Sequence, residues 1–150
     1  MSAELTTPLG RSANRVWTAA GVAGVSGVVL GAFAAHYLPN FLAIDDADRL
    51  GRRLTQFDTA TRYHLIHAVA LAAIAGPSTT SAPLRRAAMW LAIGIALFSG
   101  SLYVLVLTDT PWLGAVTPLG GLSWIVGWVY VLASGRAAST ASGRESSTTA

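Results

Sequence analysis

The run VWTAAGVAGVSGVVLGAFAAHY, from Val16 to Tyr37, decides the fold. It contains no Asp, Glu, Lys or Arg. A helix rises 1.5 Å per residue, so about 20 such residues cross the hydrocarbon core of a bilayer. Working outward, three more apolar stretches follow, and the expected spans are 16–37, 60–76, 86–107 and 118–134. The fold expected is all-α: an integral membrane protein with four transmembrane helices in a compact bundle. The expected domain is 15–134, flanked by a polar cytoplasmic tail over 1–14 and a disordered cytoplasmic tail over 135–150, rich in Ser, Thr, Ala and Gly.

Composition agrees with this solvent. The chain is 53% hydrophobic and 11% charged, where soluble domains carry about 25% charged residues. All ten basic residues are arginines on short flanks, so the high isoelectric point marks loop ends and no nucleic-acid partner is expected. With zero cysteines there are no disulfides, thiolate metal sites or Cys-x-x-Cys-His haem attachment. Arg11 and Arg15 before an apolar run resemble a secretory signal, but 16–37 exceeds the usual 7–15-residue signal core and reads as a retained helix.

Between the first two spans, Asp45-Asp46 reads as a turn or helix cap. Leu50, Leu54 and Phe57 recur at helical spacing beyond it. They predict a short amphipathic helix at the membrane surface, or else an extension of the second span. In the fourth span, Pro118 either kinks a helix beginning at Trp112 or opens a helix capped by Thr117; the second is preferred. Arginine placement is six against four, which puts both termini on the cytoplasmic side.

Small residues permit close helix packing in lipid. Gly24, Gly27 and Gly31 on the first span, Ala96 and Gly100 on the third, and Gly120 and Gly121 on the fourth are the expected packing positions. They serve either packing within the chain or a homodimer seam. Polar groups at similar depth form the candidate cluster: His36, Arg62, His64, His67, Tyr103 and Thr117, expected at the outer ends of the spans. Ionisable residues within spans are costly and suggest function. Three histidines could supply a metal or haem site. The plainer alternative is an interhelical hydrogen-bond cluster, with Arg62 pairing Asp58 one turn back. Ser99, Ser101 and Ser123 are expected to bond back to their own helices. No Ser-centred elbow, His-Glu-x-x-His or phosphate loop occurs.

These blocks resemble one family, the small bacterial membrane proteins grouped as domain of unknown function 423 and related to the eukaryotic transmembrane protein 256. The resemblance rests on Gly31-Ala32-Phe33-Ala34-Ala35-His36 and on Phe57-x-Thr59 with Tyr63 and His67-Ala68-x-Ala70-Leu71. It continues through Ser99-Gly100-Ser101-Leu102-Tyr103 and Thr117-Pro118-Leu119-Gly120-Gly121-Leu122 with Gly127-Trp128. The chain departs from it at Ala34 and Ala60, usually glycine, and at His64, more often glutamine. The resemblance implies a four-span inner-membrane protein and brings no reaction, catalytic residue, metal or cofactor. The expected function is that of a non-enzymatic structural or accessory subunit, partnered by the lipid bilayer and by other membrane proteins or itself. The alternatives are a transporter or small-molecule binding protein using the polar cluster, and a His-ligated metal or haem protein.

Overall fold

The computed structural model describes the backbone of residues 8–77 and 81–148, with side chains over 14–77 and 81–135. Its elements are α1 (Pro8–His36), α2 (Leu38–Leu42), α3 (Ala47–Ala75), α4 (Ala82–Gly94), a π-turn (Ile95–Ser99), α5 (Gly100–Thr108), a 3-10 turn (Pro111–Ala115) and α6 (Thr117–Thr148). Among the described residues, three segments are long and apolar enough to cross a membrane: Asn14–His36, Ala82–Thr108 and Pro111–Gly135. The third expected span is therefore one continuous helix with a π-turn in its middle.

Local chemistry sets the boundaries. The Asp46 carboxylate accepts the Arg49 N–H at 2.6 Å and caps α3. Ser81 caps α4 in the same way, with proline in the first turn. α5 ends on Asp109 in the left-handed region, φ 51°, where Asp is among the few non-glycine residues readily accommodated. At the expected fourth span the helix begins at Thr117, and Trp112 lies in the separate 3-10 turn.

Leu50, Leu54 and Phe57 form no separate surface helix ahead of the expected second span. Leu54 and Phe57 instead begin a stripe that continues unbroken through Ala60, Thr61, His64, His67, Ala68, Leu71 and Ala75 on α3. The chain has neither glycine nor proline from residue 52 to residue 75, so nothing stops the helix there. The start of the first helix, at Pro8, also lies inside the expected 1–14 tail. Most of the expected 135–150 tail falls outside the residues whose side chains are described, and its backbone is helical to Thr148.

α1 and α3 run antiparallel, since Phe33 meets Phe57 while Gly27 meets Leu65. The helix of α4, π-turn and α5 runs antiparallel to α6, with Leu91 against Gly127 and Ser101 against Thr117. Two apolar clusters result. One joins Ala20, Ala23, Leu71, Leu91 and Trp124; the other joins Leu38, Phe57, Leu102 and Val106. Most of the buried polar side chains, Thr61, His64, His67, Ser99 and Ser101, lie between them along the helices.

Candidate functional site

That polar layer holds the candidate site residues. Thr61, His64 and Tyr103 are more than nine-tenths buried. Thr61 Oγ1 donates to the Phe57 carbonyl at 3.1 Å, and the Tyr103 hydroxyl donates to Thr61 Oγ1 at 3.4 Å. His64 Nδ1 lies 3.3 Å from the Tyr103 hydroxyl, and its Nε2 lies 3.5 Å from Ser26 Oγ on α1. With its proton on Nδ1, His64 donates to the Tyr103 hydroxyl, which passes its own proton to Thr61, while the Ser26 hydroxyl donates to the Val22 carbonyl at 2.7 Å.

His67 belongs to a different group. A carbonyl only accepts, so the 2.8 Å contact between Nδ1 and the Tyr63 carbonyl places the ring proton on Nδ1. Nε2 then accepts from Trp128 Nε1 at 3.5 Å. The ring lies flat on Trp124, with centroids 3.8 Å apart and planes 3° from parallel. Trp124 also meets Phe98 and Tyr63 and donates its indole N–H to the Leu91 carbonyl at 3.2 Å.

The six residues expected as one cluster are thus divided. His64 and Tyr103 meet, and His67 packs on α6. Thr117 lies 2.9 Å from Ser101, while Arg62 is exposed and pairs with Asp58 at 2.7 Å. His36 is exposed, its ring contact being the adjacent Tyr37. The three histidines therefore do not converge, and both nitrogens of His67 are engaged. The depth of His64 and His67 also differs from expectation. Ser26, beside His64, is one residue from Val25, the middle of Asn14–His36; Trp124, beside His67, is one residue from Ser123, the middle of Pro111–Gly135. Counting from an expected start near residue 60 put the histidines at a helix end, but α3 starts at Ala47 and its neighbours fix their level.

Ser99 is the second correction. Its hydroxyl crosses to the Ala60 carbonyl of α3 at 2.9 Å instead of bonding within its own helix. The π-turn, in which the Gly100 N–H reaches the Ile95 carbonyl, sits at this point. Ser101 and Ser123 do bond to their own helices, at Phe98 and Leu119.

The glycines sort by what a methyl group would meet. At Gly120 it would strike the Phe98 backbone, and at Gly27 it would come within 2.7 Å of a Leu65 terminal carbon. At Gly31 it would stand 3.2 Å from Thr61, whereas at Gly24 and Gly121 it would meet nothing within 4 Å. Gly100 touches only its own helix and Ala96 is exposed; on this helix the buried glycine is Gly94, cradling Trp124. The four-residue small spacing at Ala92, Ala96 and Gly100 lies beside the buried stripe of Ala88, Leu91, Ile95, Ser99 and Leu102. Gly94 and Trp124 were legible as a pair only weakly: a tryptophan far from either interface needs a partner for its N–H.

At the other end of α5, Asp109 takes both Arg49 and Arg53 from α3. Arg53 is 12% exposed and is also held by Gln56 at 3.1 Å. Asp109→Asn keeps the left-handed turn while removing the charge. A loss of about 1–2 kcal/mol in detergent unfolding is expected, with Arg49→Gln costing less because its side chain is half exposed. Equal effects of the two changes would contradict this.

Comparison with known proteins follows from this geometry. The family model described as a protein of unknown function, DUF423, matches residues 30–121. A UPF0382 membrane protein of Staphylococcus saprophyticus is 41% identical over 103 residues, spanning 68% of this chain and 80% of that protein. The UPF0382 membrane protein YwdK of Bacillus subtilis is 39% identical over 114 residues, spanning 70% and 82%. The UPF0382 inner membrane protein YgdD of Escherichia coli is 35% identical over 120 residues, spanning 75% and 82%. No solved structure matches the chain.

Proposed function

Since this chain belongs to the membrane-protein family of unknown function DUF423, we propose that it is a four-span, non-enzymatic structural or accessory subunit of the bacterial inner membrane, with both termini cytoplasmic. One observation carries the non-enzymatic reading. Among the described residues, no buried side-chain nitrogen or oxygen lacks a hydrogen-bond partner. That pairing supports a polar layer that holds helices together, at roughly 1 kcal/mol or less per bond in a membrane.

The fourth crossing is α3. It is not apolar enough along its whole length to stand among the three spans above. However, from about Leu54 to Ala75 it lies antiparallel to Asn14–His36, and its buried face is shielded by α1, α4, α5 and α6. A helix shielded by protein need not be apolar all round. Arrangement and orientation can be read with single cysteines, because the natural chain has none. In intact cells an impermeant maleimide should label Asp48→Cys, with Ser81→Cys reacting only after permeabilisation. Labelling of both from one side would remove the α3 crossing, and the opposite pattern would invert the orientation.

The accessory reading is tested by native mass spectrometry of the protein released from its own membrane in mild detergent. A co-released membrane protein is expected. A lone species with intrinsic turnover overturns it. The transporter reading draws less support, because the expected polar cluster is split and its central members are already paired.

A further inference from the structure

At the end of the bundle opposite Asp109, α1, α3 and α4 leave a crevice of about 350 Å³. Its floor is apolar, formed by Val16 and Ala19 of α1, Leu71 of α3 and Ala92 of α4. Arg15 and Arg85, from two different helices, stand at its mouth. Among the described residues neither guanidinium has an ion-pair or hydrogen-bond partner, in contrast to Arg49, Arg53 and Arg62. Every carboxylate among the residues with described side chains, Asp45, Asp46, Asp48, Asp58 and Asp109, belongs to the other end. The neighbouring Arg86 is over the Tyr130 ring, 5.8 Å from its centroid, and adds to the positive field.

We propose that this crevice binds a phospholipid with an anionic headgroup, its phosphate held by Arg15 and Arg85 and an acyl chain lying along Val16, Ala19, Leu71 and Ala92. Two features fix the class of ligand. A free anion would use the arginines but leave the apolar floor empty. An uncharged or zwitterionic lipid could fill the floor, but lipid tails are as apolar as the crevice, so the floor alone gives no preference among lipids. Selectivity has to come from the two guanidinium groups, which bind phosphate in a fork geometry and favour net negative charge. Arg15 lies next to Asn14, the first residue of the first span, and Arg85 lies in the first turn of α4, so both sit at the depth of headgroups. The proposal requires only that the chain lies in a bilayer; it stands whichever way the termini face and whether or not the protein is an accessory subunit.

The test uses the full chain in a mild neutral detergent. Its thermal midpoint is followed while phosphatidylglycerol, phosphatidylcholine or inorganic phosphate is added. Phosphatidylglycerol should raise the midpoint at concentrations about tenfold below phosphatidylcholine, a preference on the order expected for two basic residues at a membrane surface. Arg15→Gln with Arg85→Gln should abolish that difference, and Arg15→Lys with Arg85→Lys should retain part of it, which separates loss of charge from loss of folding. Lipid extracted from the purified native protein and identified by mass spectrometry should be enriched in anionic species over the source membrane. Equal midpoints with the two lipids, an unchanged preference in the glutamine variant, or full reproduction of the shift by inorganic phosphate would each overturn the proposal.

Discussion

Gly120→Ala is expected to destabilise the protein by about 2–3 kcal/mol, while Gly121→Ala, one position along, stays within about 0.5 kcal/mol. The difference comes from what the added methyl meets. At Gly120 it strikes the backbone nitrogen and Cα of Phe98, at Gly121 it meets nothing within 4 Å. A flexible side chain can turn aside, as Leu65 could for Gly27→Ala, but a helix backbone cannot. α6 would have to separate from the π-turn. That separation would also weaken the Ser101–Thr117 contact at 2.9 Å and the Phe98–Trp124 ring contact, whose centroids are 4.7 Å apart. Unfolding by titrated SDS in mixed micelles measures the pair; equal midpoints for the two variants would refute the close approach of the helices.

Trp124→Ala should cost about 3 kcal/mol or more. Trp124 is 5% exposed and is the ring on which His67, Phe98 and Tyr63 all pack. In a membrane the reference state is already out of water, so little of this is transfer energy; the cost is the cavity and the lost dispersion contacts. Trp124→Phe should recover more than half, since it restores a ring against His67 while leaving the Leu91 carbonyl without the indole N–H. Gly94→Ala, which drives a methyl into the Trp124 indole, should resemble Trp124→Ala more closely than it resembles Gly24→Ala. A Trp124→Ala protein that unfolds with the wild type would show that the ring is not the centre of this contact.

Much of the architecture was legible in apolar run length. The segments at 16–37, 86–107 and 118–134 correspond to the three long apolar spans, because hydrocarbon thickness leaves little choice of helix length. Thr117-Pro118 marked the start of α6 because proline accepts the first turn and resists the interior. The polar layer was only half legible. Its residue types stood out as costly in lipid, but their depth depends on which neighbours they meet. His64 and His67, one turn apart on α3, part company because Ser26 and Tyr103 lie on one side and Trp124 and Trp128 on the other. Small-residue spacing gives a face of a helix without saying which face the neighbour occupies: Gly27, Gly31 and Gly120 stand against another helix, whereas Ala96 is exposed.

The shielding of α3 has a consequence for biosynthesis. On the α3 crossing proposed above, protein buries His64 and His67 while Asp58 and Arg62 pair with each other on the exposed side, and centrally placed charges each oppose insertion by a few kcal/mol. Such a segment leaves the translocon poorly on its own. α1, by contrast, is apolar, precedes it and is joined to α3 by the ten residues 37–46, with the five-residue α2 making the bend. The two would enter the bilayer together as a helical hairpin, so that Gly27 and Gly31 meet Leu65 and Thr61 before lipid does. On that proposed crossing, α1 would serve as an internal chaperone for the polar helix that follows it.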